Sequence, residues 1–169
     1  MQPEKIYFYT ASILDWHQVL SEREVKKIII DSLEFLVKDK SVAVSAFVIM
    51  PNHIHIIWKP LRQNLKLRFM KFTAQKIKFW LVDNNSHYLE KLIVNKKDRT
   101  YQVWQRNTLA TELYTPKVIE QKLDYIHNNP CQGKWMLADD PTSYPWSSAS
   151  FYEADDETFS FLTDYRAFI

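Results

Sequence analysis

Two groups of side chains in this sequence have the types and spacing to act on a phosphate. The first is His53-Ile54-His55. In an extended strand alternate side chains share a face, so both imidazoles point the same way and could clamp one divalent cation. The pair is a weak signal alone, because two histidines can equally sit hydrogen-bonded on a sheet surface. The second group is Asp124-Tyr125-Ile126-His127-Asn128-Asn129-Pro130. On a helix, residues four apart are neighbours, so Tyr125 and Asn129 share a face with Gln121 and Lys122 one turn earlier. Ile119, Leu123 and Ile126 form a separate apolar stripe that would hold this helix down. His127 projects to nearly the opposite side from Tyr125. Tyr125 could be a nucleophile, or a boundary tyrosine with a packed ring and a wet hydroxyl.

The elements that must position these groups follow from hydrophobic period and turn chemistry. Ile6 to Ile13 reads as a first strand, rich in aromatic and branched residues. Ser21 and Glu24 have capping-box spacing for a helix whose stripe is Val25, Ile28, Ile29, Leu33 and Leu36. Val42 to Met50 is apolar at nearly every position and reads as a strand covered on both faces. Pro51-Asn52 turns the chain into an antiparallel strand, His53 to Trp58, with Ile54, Ile56 and Trp58 facing a helical layer. Pro60 to Val82 reads as a basic helix burying Leu61, Leu65, Phe69, Phe72 and Ile77. Asp83 to Arg99 reads as a polar loop and Tyr101 to Gln105 as a fourth strand. Thr115-Pro116 caps and opens the last helix, which ends near Asn129 ahead of Pro130. The order β-α-β-β-α-β plus a helix predicts an α+β, ferredoxin-like fold with a central antiparallel sheet and a C-terminal catalytic helix. The expected division is one domain over 1–152 and an acidic tail over 153–169.

Composition narrows the chemistry. The chain has 169 residues, 15% of them aromatic, with one cysteine and one glycine. A lone Cys131 excludes a disulfide framework and a multi-cysteine zinc site. A lone Gly133 excludes P-loop and dinucleotide-binding loops, whose backbones must approach phosphate closely. No apolar run nears the roughly 18 residues of a membrane span, so a soluble, cytoplasmic protein is expected. The net charge is only +2, but Lys59 to Arg106 carries twelve basic residues against three acidic ones. From Trp135 onward seven acids stand against Arg166 alone. A basic middle and an acidic tail suggest a polyanionic partner, with the tail covering the basic groove until that partner displaces it.

Taken together the residues match a known pattern. Val48-Ile49-Met50-Pro51-Asn52-His53-Ile54-His55 resembles the strand-turn-strand of the HUH nucleases. Tyr125-Ile126-His127-Asn128-Asn129-Pro130 resembles the tyrosine segment of their single-tyrosine transposase branch. Trp104-Gln105-Arg106 and Tyr144-Pro145-Trp146-Ser147-Ser148 resemble features of the REP-associated tyrosine transposases. The likeness runs from about Ile6 to about Phe151. It departs after Asn-Pro, where Cys131-Gln132-Gly133-Lys134-Trp135 is bulkier than the family's usual small stretch.

The resemblance implies a bacterial, nucleoid-associated enzyme that cuts and rejoins single-stranded or hairpin DNA, as a monomer or homodimer. It implies Tyr125 as nucleophile and His53, His55 and Asn129 as ligands of Mg²⁺ or Mn²⁺. Lys59, Arg62, Lys66, Arg68, Lys71, Arg106 and Lys122 would contact DNA, and Trp104 could stack an unpaired base. The alternatives are a non-catalytic nucleic-acid-binding ferredoxin-like domain and a metal hydrolase with no covalent step.

Overall fold

The computed structural model describes residues 1–169. Tyr7–Ser12 forms β1, and Arg23–Lys38 forms α1. Val42–Ile49 (β2) and His53–Pro60 (β3) follow, then Leu65–Asp83 (α2). Tyr88–Lys91 (α3), Ile93–Lys96 (β4), Arg99–Tyr101 (β5), Leu109–Glu112 (β6), Pro116–Asn128 (α4) and Ala149–Glu153 (α5) complete the chain. The main sheet runs β2-β3-β1-β6 with every neighbour antiparallel, which interleaves two βαβ halves as expected of a ferredoxin-like fold.

Alternation decides what each strand face covers. Tyr9, Ala11, Ile54, Ile56 and Trp58 enter the larger core with Val25, Ile29, Leu33, Phe69 and Ile77 of α1 and α2. The opposite face carries Ile57, Ala46 and Val48 against Ile119, Leu123 and Ile126 of α4. β2 switches its alternation at a register shift between Val44 and Ala46, so Val44 faces α1 and α2 while Ala46 faces α4. Coverage on both faces is why this strand reads as an almost continuous apolar run.

Several expectations are corrected. The fourth sheet strand is β6, not Tyr101 to Gln105; that stretch makes only one isolated bridge, Trp104 with Ile13. The polar stretch 83–99 is not simply a loop but holds α3 and half of the β4-β5 hairpin. Ser21 ends a 3-10 turn, so Glu22 rather than Ser21 stands at the N-cap of α1, without a side-chain cap bond. Pro60 still pairs with Val42, and Asn64 turns left-handed (φ 60°) before α2 begins at Leu65. Leu61 is therefore exposed, and Phe72 stacks on Phe35 at the surface instead of entering the core. Trp104 is core, 5% exposed, with its indole N–H donating to Thr73 Oγ1 at 3.0 Å, so its face is not open to a base.

The acidic tail does not lie over the basic stretch. Its apolar residues dock it on the far sheet edge: Leu162 bridges Val44, the Thr163 N–H donates to the Val44 carbonyl, and Phe159 and Phe161 pack on Phe47. The tail thereby covers the β2 edge, whose unpaired backbone would otherwise invite another strand. Leu162→Ala is expected to lower unfolding free energy by about 2–4 kcal/mol, read from the denaturant midpoint. A loss under about 0.5 kcal/mol would mean the tail is not docked in solution.

Candidate active site

Thr115 accepts from the Val118 N–H and Pro116 takes the first turn of α4, as the sequence predicts. The stripe Ile119, Leu123, Ile126 then seats α4 on the sheet face from which His53 and His55 project. Tyr125 is thereby brought over β3, its ring centroid 5.2 Å from that of His55 and 5.9 Å edge-on from Phe8. The two imidazole centroids are 4.8 Å apart. Asn129, just past the end of α4, joins them in an open cleft of about 700 Å³.

Hydrogen bonds orient the rings. The Asn52 side-chain N–H donates to the Trp16 carbonyl at 3.1 Å, which turns its Oδ1 toward His53 Nδ1 at 2.7 Å. An amide oxygen only accepts, so Nδ1 of His53 carries the proton and Nε2 offers a lone pair. His55 Nδ1 meets Thr10 Oγ1 at 2.8 Å, across the Thr10–His55 register pair. His55 Nε2 and Asn129 Oδ1 are both buried without a hydrogen-bond partner. Such atoms are costly to leave open unless something else fills their valence. Burial lowers His53 to about 4, against the neighbouring Asn129 side chain, which favours the charged ring. Burial, with His53 and Lys122 adding to it, lowers His55 to about 3. Both rings are neutral at pH 7, the state in which imidazole binds a metal.

No cluster of three His, Cys, Asp or Glu side chains occurs anywhere in the fold. A cation here would have two imidazole nitrogens and one amide oxygen. That neutral set could hold one divalent cation and would leave coordination positions for phosphate or water, without by itself selecting which cation. Each ring's other nitrogen is held by a side chain, the usual way a ligating imidazole is oriented.

The predicted basic residues divide into three groups. Lys122 is in the cleft, its Nζ 4.9 Å from the Phe8 ring centroid and 5.5 Å from that of Tyr125. Lys66, Lys71 and Arg106 line a separate groove of about 560 Å³ with Arg99. Arg62 and Arg68 both engage Asp39, at 3.3 and 3.1 Å, and Lys59 pairs with Glu4 at 2.9 Å. Those last three sit toward the opposite end of β3 from His53. Consecutive sequence positions do not translate into one continuous basic track.

Sequence reasoning missed Phe8, Thr10, Trp16 and Trp135, which wall the cleft, and the orienting role of Asn52. Phe8 and Thr10 could have been found from β1 alternation once β1 was paired with β3. Trp16 could not, because it depends on two successive left-handed residues, Asp15 (φ 48°) and Trp16 (φ 58°). Such backbone is costly for non-glycine residues and recurs at functional sites. It leaves Trp16 59% exposed beside His53.

No protein-family model matches this sequence, and no curated protein does. Among solved structures, that of a REP-associated tyrosine transposase bound to a REP hairpin is similar with a TM-score of 0.62 at 17% identity. The match covers 88% of this chain and 78% of that one. The chain therefore has the fold of that transposase. A second similar structure, a putative transposase from Deinococcus radiodurans R1, has a TM-score of 0.44 and 18% identity over 73% of this chain and 88% of that one.

Proposed function

We propose that this protein cleaves and rejoins single-stranded DNA beside a hairpin through a covalent bond to Tyr125. The observation that carries the reading is one of assembly. Separate segments bring a phenol, an amide and two neutral imidazoles to one cleft, with two buried lone-pair atoms left open. The shared fold with a protein bound to a REP hairpin supports hairpin-bearing DNA as the substrate. A non-catalytic binder would need aromatic and basic residues but not this constellation.

His53, His55 and Asn129 would hold Mg²⁺ or Mn²⁺. When bound there, the cation supplies Lewis-acid polarisation of a non-bridging phosphate oxygen. The Tyr125 oxygen attacks phosphorus in line. The bond to the 3′ oxygen of the upstream nucleotide breaks, leaving a 5′-phosphotyrosine and a free 3′-hydroxyl. Lys122 favours negative charge developing on the phenol oxygen and on the phosphate. The phosphoester is conserved in number, so a second 3′-hydroxyl can displace Tyr125 and rejoin strands without a nucleotide cofactor. Lys66, Lys71 and Arg106 would hold flanking backbone by charge, and exposed Trp16, rather than Trp104, offers a ring on which a base can stack.

The reading is tested with hairpin-bearing single-stranded DNA labelled at both ends, incubated with the protein and Mn²⁺ and resolved under denaturing conditions. The expected product is a protein adduct carrying the downstream fragment and a released upstream fragment that a polymerase can extend. Cleavage with no adduct would indicate a hydrolase. Binding with no cleavage across a set of hairpins would indicate a binding module.

A further inference from the structure

His127 takes no part in the chemistry above, and neither does the Tyr144-Pro145-Trp146-Ser147-Ser148 stretch. The two meet on the buried side of α4. His127 is 5% exposed, and its Nε2 lies 3.0 Å from Ser148 Oγ. Ser148 is fully buried; its Oγ receives the Phe47 N–H at 3.0 Å and lies 3.2 Å from the Phe47 carbonyl. A hydroxyl has one proton and two lone pairs, and the bond from Ser148 Oγ to the Phe47 carbonyl gives one consistent assignment. The Phe47 N–H fills one lone pair, the hydroxyl proton goes to the Phe47 carbonyl, and His127 Nε2–H fills the second lone pair. The Ser148 N–H also donates to the Phe47 carbonyl at 3.0 Å. Ser148 is thus fastened to β2, and His127 is fastened to Ser148.

The rest of the stretch reinforces that anchorage. Tyr144 Oη donates to the Ile49 carbonyl at 2.8 Å, and the Ile49 N–H donates to the Trp146 carbonyl at 2.9 Å. These bonds fall on the end of β2 that leads through Pro51-Asn52 into His53. Apolar contacts of Ile119, Leu123 and Ile126 hold α4 down but specify its rotation poorly, since they are non-directional. A directional bond on the buried side can set the rotation. Tyr125 and Asn129 lie on the other side of the same helix, so a small rotation sweeps both across the cleft.

We propose that the His127–Ser148 pair is a positioning latch, which fixes the rotation of α4 and so sets the phenol and the amide relative to the two imidazoles of β3. The inference rests on the nuclease reading for the phenol but not for the amide. The substitutions are His127→Leu, which fills the space without a donor, and His127→Gln, whose terminal amide N–H reaches about as far as Nε2–H. Ser148 keeps both bonds to Phe47 in either variant, so the fold has no orphaned backbone group.

The expected result for His127→Leu is a fall of about a hundredfold in single-turnover cleavage with hairpin DNA affinity unchanged. Mn²⁺ affinity, read by the electron paramagnetic resonance of free ion, falls about tenfold as Asn129 moves off. His127→Gln restores both to within about threefold. If His127→Leu does not fold, His127→Met, which also lacks a donor and leaves Ser148 its bonds to Phe47, is expected to reproduce both losses. Normal cleavage and Mn²⁺ affinity in His127→Leu, or failure of His127→Gln to rescue, overturns the latch. If the unaltered protein makes no adduct, the nuclease reading falls and the latch is decided by Mn²⁺ affinity alone. Equal affinity, or none in either protein, overturns it.

Discussion

Tyr125→Phe is expected to abolish the covalent DNA adduct, with a loss of at least about a thousandfold in strand cleavage, and to leave hairpin DNA affinity within about threefold. The size of the effect follows from what is removed. A phenyl ring has no oxygen to attack phosphorus, and of the other hydroxyls lining the cleft, those of Thr10 and Ser12, the first is held against His55 Nδ1 at 2.8 Å. The retained properties follow from what is kept. Tyr125 is 48% exposed, and its recorded contacts are made by the ring: edge-on to Phe8, near His55 and under Lys122. Phenylalanine keeps all three, so stability should change by no more than about 0.5 kcal/mol. Adduct chemistry and thermal melting are therefore expected to separate cleanly. An adduct that persists in Tyr125→Phe would move the nucleophile elsewhere and remove the reason for the cleft's arrangement.

What was legible in the sequence was whatever depends on local periodicity. The His53 and His55 alternation, the Thr115-Pro116 helix start and the Ile119, Leu123, Ile126 stripe each rest on neighbours a few residues apart, and each is found as read. β6 was not legible because Leu109–Glu112 is nearly all exposed and shows no apolar alternation; pairing with β1 alone makes it a strand. The basic residues misled for the opposite reason. Charge is visible in sequence, but partners such as Asp39 for Arg62 and Arg68 lie more than twenty positions away. Helical period places His127 opposite Tyr125, but its hydrogen-bond partner is a serine 21 positions on. The tail was read by its acids, whereas Phe161, Leu162 and Tyr165 determine where it goes.

Acid should unfold this protein early, with stability falling steeply between pH 6.5 and 4.5. Three imidazoles are buried and neutral. Burial lowers His53 and His127 to about 4 and His55 to about 3, against 6.5 for a free ring. As pH falls through 6.5, the unfolded chain takes up these protons while the folded chain does not. Their contribution is therefore complete above about pH 6.5 and is lost progressively toward the folded values. Each ring costs about 1.4 kcal/mol per pH unit across that window. Three together reach roughly 8 kcal/mol by pH 4.5, comparable with the whole stability of an ordinary domain. Urea unfolding at a series of pH values measures the slope directly. His127→Gln removes one of the three sites and should reduce that slope by about a third. Saturating Mn²⁺ should shift the acid transition downward, since only neutral His53 and His55 can bind it, by about 2.7 kcal/mol at a hundred times its dissociation constant. Stability that stays flat from pH 7 to 4.5 would mean that the three rings are hydrated in solution. The orienting bonds from Asn52 and Thr10 would then not hold the cleft in the form described.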